Sequence, residues 1–68
     1  MMKKKSYANR EPFTRHGGAF DRGGADRWYG RKYAPHYYVG ATYSSQRIDV
    51  EDMSVEEKEA YAEGYWSA

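Results

Sequence analysis

Between Thr14 and Arg31 the positions Phe20, Gly23, Gly24, Arg27, Trp28 and Arg31 recur at intervals of three and four. That spacing predicts a first helix over about 14–31, with Thr14 as its N-cap. Gly17, Gly18, Gly23, Gly24 and Gly30 oppose it, because each glycine costs up to about 1 kcal/mol relative to Ala inside a helix. Such a helix needs tertiary support or a partner. The glycine spacings suit close approach of another backbone, protein or phosphate; a plain loop is the competing reading.

A second helix is marked more sharply. Ser54 is followed three positions later by Glu57, the signature of a capping box, and Glu56 and Glu57 sit where the helix dipole favours acids. The predicted span is about 55–66. Tyr61, Ala62, Tyr65 and Trp66 form its apolar side, Glu56, Glu59 and Glu63 keep to other faces, and Gly64 would let the first helix approach closely.

Between the helices, 32–53 is expected to be an ordered connector. Pro35 and Gly40 interrupt it, and the weak alternation through Val39, Ala41 and Tyr43 suits a loop or a poor hairpin. Met1 to Pro12 is polar and without helical periodicity, which predicts a flexible basic arm over 1–12 preceding a single small helical domain over 13–68. The expected fold is a mainly α two-helix module.

Composition constrains what this domain can do. The chain of 68 residues has no Leu, and Leu, Ile, Val and Phe together supply only six side chains, against eight Tyr and two Trp. Any core must therefore be aromatic. A chain this short buries only about 60% of its unfolded surface, so a deep enclosed active site is not expected. With no cysteine and only His16 and His36 as imidazoles, neither a disulfide framework nor a structural zinc site is expected. A reducing, cytoplasmic setting is the default reading. Lys3, Lys4 and Lys5 lead into polar residues, so no signal peptide is expected, and no uncharged stretch is apolar enough to suggest a membrane role.

The net charge of +1 conceals an asymmetry. Residues 1–47 carry a net +7 and residues 48–68 a net −6, which points to a polyanion-binding half; pairing of the two halves is the alternative. The richest cluster is Arg27, Trp28, Tyr29, Arg31, Lys32, Tyr33, His36, Tyr37 and Tyr38, where cations alternate with rings. Arg and Lys neutralise phosphates and release counterions, and exposed rings stack on unpaired bases for about 1–3 kcal/mol each. Single-stranded or looped RNA suits that composition best. The same rings are also the obvious material for the core. His36 could touch phosphate or sense pH, or simply be hydrogen-bonded in a loop.

Catalysis has little to stand on. No serine lies in a nucleophile elbow, and neither histidine has a triad spacing. Asp49, Glu51 and Asp52 lack the spacing and glycine of a calcium loop, so an acidic turn is the expected reading and no cofactor is implied.

Arg22-Gly23-Gly24-Ala25, Gly30-Arg31-Lys32 and Pro35 with Tyr37, followed by Glu59, Ala60, Tyr61, Gly64, Tyr65, Trp66 and Ala68, resemble the ribosome modulation factor family over roughly 22–68. The resemblance implies two helices joined by a linker with a Pro-Tyr motif. It implies binding to ribosomal RNA on the small subunit, with Arg22, Arg31 and Lys32 as phosphate contacts and Tyr37 in the motif loop. The Gly-Ala-Asp and Pro-His-Tyr elements also resemble short proteins of phages and proteobacteria, implying an accessory role.

The expected function is thus non-enzymatic binding of RNA or the small ribosomal subunit, through Arg22, Arg27, Trp28, Arg31, Lys32, Tyr33, His36 and Tyr37. The alternative is a phage-encoded protein that grips a host protein through its aromatic patch, since Tyr, Trp and Arg also dominate protein hot spots. A third reading is a homodimer in which basic and acidic halves meet across chains.

Overall fold

The computed structural model describes residues 13–42 and 44–68, so the arm predicted over 1–12 lies outside the described residues. Two helices flank a short antiparallel hairpin along the chain: α1 (Ala19–Trp28), β1 (His36–Tyr38), β2 (Arg47–Asp49), a 3₁₀ turn (Val50–Asp52) and α2 (Val55–Ser67).

α1 is shorter than the predicted 14–31 at both ends. Its N-cap is Gly18, not Thr14, because Gly17 holds φ +88° and the chain from Phe13 folds into a turn. In that turn the carbonyl of Arg15 accepts the Gly18 N–H at 2.8 Å, and the carbonyl of Phe13 accepts that of Phe20 at 3.0 Å. At the other end Gly30 takes φ +72°, its N–H reaches the carbonyl of Arg27 at 3.1 Å, and the Arg31 N–H reaches that of Asp26 at 2.7 Å. These paired bonds are a Schellman termination, which satisfies the last carbonyls and ends the helix before Arg31.

The buried face of α1 also differs from the predicted stripe. It consists of Ala19, Arg22, Gly23 and Asp26, whereas Arg27 and Trp28 face solvent. The stripe is displaced because the helices meet backbone to backbone at glycine. A Cβ on Gly23 would overlap the carbonyl of Tyr61, and one on Gly64 would overlap that of Phe20. The glycine of α2 thus does what its position suggested, and the neighbour of Gly23 is protein.

α2 matches its predicted span within one residue. The Ser54 hydroxyl accepts the Glu57 N–H at 3.1 Å and the Glu57 carboxylate accepts the Ser54 N–H at 2.8 Å, completing the capping box. Ala60, Tyr61, Gly64 and Tyr65 form its buried side, while Trp66, placed on the apolar side by its spacing, is 65% exposed.

The connector contains the hairpin. His36 pairs with Asp49, Tyr37 with Ile48 and Tyr38 with Arg47. The Arg15 side chain fastens the hairpin to the turn before α1, donating to the carbonyls of Tyr38 at 2.6 Å and Gly40 at 3.2 Å. Phe13, Ala19, Met53, Ala60, Tyr61 and Tyr65 make the core, with Phe20, Tyr37 and Ile48 against it. The core is aromatic, as a leucine-free chain requires. Trp28 and Tyr29 are not in it.

Candidate nucleic-acid interface

The Schellman turn at Gly30 reverses the chain at the end of α1 and lays residues 31–35 beside the end of α2. Tyr65 donates its hydroxyl to the carbonyl of Arg31 at 2.8 Å, and Tyr61 accepts the N–H of Ala34 at 3.2 Å. These two bonds hold the linker where its side chains meet those of both helices.

A band of rings and cations results. The Arg27 guanidinium lies 5.4 Å from the Trp66 ring centroid and 5.7 Å from that of Tyr65. Tyr33 stacks on Trp66 with centroids 6.0 Å apart and meets Tyr65 edge-on at 5.1 Å. Arg31 sits 4.9 Å from the Tyr29 centroid. Trp28 is 78% exposed, Tyr29 69% and Tyr33 44%, and Arg27, Arg31 and Lys32 are exposed with them. Two of these exposed rings, Tyr29 and Trp66, are held by cation–π contacts with Arg31 and Arg27.

Three predicted site residues, Arg22, His36 and Tyr37, are not on this surface. Arg22 is buried on the helix-facing side of α1, 3.5 Å from the Asp21 carboxylate, which withdraws it from a phosphate-contacting role. His36, the first residue of β1, is buried with its ring 5.7 Å from that of Tyr61, which removes it from phosphate contact. Its Nδ1 lies 2.8 Å from the carbonyl of Ala34 and 3.8 Å from Asp26 Oδ2. Burial pushes the imidazole below its ordinary pKa of 6.5, outweighing the carbonyl hydrogen bond and the Asp26 charge that favour protonation. Nδ1 is therefore the protonated nitrogen of a neutral ring. Tyr37 is half-buried against the core, and burial followed by the hydrogen bond with Glu57 raises its phenol pKa.

Beneath the band lies a polar network that sequence patterning missed. Asp26, 4% exposed, accepts hydrogen bonds from the Tyr61 hydroxyl and, at 3.1 Å, from Arg31. Burial and this bond to Asp26 hold the Tyr61 phenol protonated well above the usual tyrosine range. Arg31 thus has a structural duty beside its place in the band. Trp66 was also missed as a surface residue, since the spacing that placed it beside Tyr65 does not separate the core-facing from the solvent-facing flank of a stripe.

Among the described residues no group of three acidic, histidine or cysteine side chains could hold a metal ion, and no helix is long and apolar enough to cross a membrane. No family model matches the chain, and no match was found among curated proteins or solved structures.

Proposed function

We propose that this mainly helical domain is a non-enzymatic protein of the cytoplasm that binds single-stranded or looped RNA. The contact surface is the band formed by Arg27, Trp28, Tyr29, Arg31, Lys32, Tyr33 and Trp66. The observation that carries the reading is the exposure of Trp28, Tyr29 and Trp66 beside these cations. Single strands are held by stacking on such rings, with phosphates neutralised alongside, whereas duplex RNA offers its bases too poorly for rings to read. The resemblance to the ribosome modulation factor family makes RNA on the small ribosomal subunit the first target to try.

The test is co-sedimentation with ribosomes and separated small subunits at low and moderate salt, together with binding of a labelled nine-nucleotide uridine strand. Arg27→Ala, Lys32→Ala and Trp28→Ala are the informative variants, because Arg31→Ala would also take a partner from the buried Asp26. Binding that weakens steeply with salt and is lost in these variants supports the reading. Absence of binding to subunits and oligonucleotide alike at low salt overturns it and leaves the aromatic patch to a protein partner.

A further inference from the structure

One flank of the band is shallowly hollowed and open to solvent. A groove of about 410 Å³ opens along α1, lined by Phe20, Asp21, Gly24, Trp28 and Tyr29 among others. Trp28 and Tyr29 supply exposed rings, Gly24 adds no side chain, and a carboxylate stands in an otherwise largely apolar wall. The Asp21 side chain is 32% exposed; its Oδ2 accepts the Gly17 N–H at 3.0 Å and lies 3.5 Å from Arg22. A carboxylate has about four acceptor positions, and among the described residues only Gly17 and Arg22 reach Asp21, both at Oδ2.

A carboxylate repels phosphate, so this groove is not where the RNA backbone runs. It suits the base. Unpaired bases are read by stacking on aromatic side chains and by hydrogen bonds to their Watson–Crick edges. Adenine and cytosine each present one amino group beside a ring nitrogen whose lone pair would face the carboxylate, and uracil presents one N–H between two carbonyls. Guanine alone presents two adjacent donors, N1–H and the 2-amino group, which a carboxylate accepts in parallel. Arg31 is held against Tyr29, which sets a cation beside that ring for a neighbouring phosphate.

Resting on the RNA-binding reading, we infer that this groove is a specificity pocket for one unpaired guanine, with Trp28 and Tyr29 as the stacking surfaces and Asp21 as the reader of the base edge.

The experiment measures anisotropy of a labelled nine-nucleotide uridine strand and of versions carrying guanine, adenine, cytosine or inosine at the central position. The guanine strand binds tighter than the others by about fivefold or more, the low end of what a bidentate base contact gives. Inosine, which keeps N1–H but lacks the 2-amino group, loses most of that advantage. In Asp21→Asn, where one acceptor becomes a donor, the ratio of guanine to adenine affinity falls to near one, and circular dichroism checks the fold. The inosine comparison uses the unaltered protein and does not depend on that variant folding. Equal affinities across the panel overturn the pocket and leave the RNA reading standing. Failure of every strand to bind at low salt overturns both. An arginine-bearing peptide that binds in an Asp21-dependent way, with no guanine preference among the strands, overturns the pocket as a base reader.

Discussion

The hydroxyl of Tyr61 donates to the buried carboxylate of Asp26 and accepts the N–H of Ala34 at 3.2 Å, so one phenol joins α1, α2 and the linker. In a chain without leucine the large core side chains are tyrosines, and each buried phenol must find a partner or forfeit its solvation. Tyr65 does so with the carbonyl of Arg31. Fastening the linker in this way fixes the band of exposed rings.

Tyr61→Phe keeps the ring but takes one hydrogen-bond donor from the buried Asp26 carboxylate and the acceptor from the Ala34 N–H. The expected loss is about 1–3 kcal/mol of unfolding free energy, read by urea denaturation. Tyr65→Phe strands one carbonyl and costs about 1 kcal/mol. Equal stability of Tyr61→Phe and the parent protein would show that the network contributes nothing.

Adjacent glycines in α1 respond oppositely to alanine. Among the described residues a Cβ on Gly24 meets only the Gly64 carbonyl, at 3.8 Å, so Gly24→Ala gains the helical preference of Ala and stabilises by about 0.5–1 kcal/mol. Gly23→Ala and Gly64→Ala collide with carbonyls of the facing helix and destabilise. Thermal melts of the three variants test the glycine crossing, and a rise in Tm for Gly23→Ala would refute it.

His36 makes stability depend on pH. Its folded-state pKa lies below the ordinary 6.5, so the unfolded chain binds the proton more readily. The contribution is present above pH 6.5 and is lost as the pH falls below that value and through the folded-state pKa. Urea midpoints measured between pH 8 and 5 should decline through this window, and His36→Gln should flatten the decline. An unchanged slope in that variant would assign the effect to other groups.

At the start of α2, Ser54→Ala removes the hydroxyl that accepts the Glu57 N–H. A loss of about 1 kcal/mol in chemical denaturation is expected, since the first turn then has an unsatisfied donor. Ser54→Asp, which keeps an acceptor, should recover most of it.

Trp28→Ala separates binding from folding. With its ring 78% exposed, the substitution should change stability by no more than about 0.5 kcal/mol while weakening RNA binding severalfold, checked by melting and anisotropy on the same preparation. Lys32→Ala should lower the salt dependence of binding with little effect on stability. Arg31→Ala should affect both, because that guanidinium pairs with Asp26 at 3.1 Å.

What the sequence determined by itself was local. The Ser54–Glu57 box placed the start of α2 because capping is completed within four residues, and Gly64 announced a close approach because it stands alone on an apolar helix side. Gly30 carried an equally local signal, a C-terminal stop, but the periodicity running through to Arg31 masked it. An aromatic core followed from the missing leucine. Which rings enter that core did not, since Trp28, Tyr29 and Trp66 are as apolar as Tyr61 and Tyr65. Only the crossing of α1 on α2 decided that. The glycines bring the backbones together, which turns Arg22 and Asp26 inward and Arg27 and Trp28 outward, and buries His36 of the hairpin beside Asp26. Burial of a charged residue requires partners remote in the chain, here Tyr61 for Asp26, and no periodicity within α1 encodes a hydroxyl thirty-five positions away.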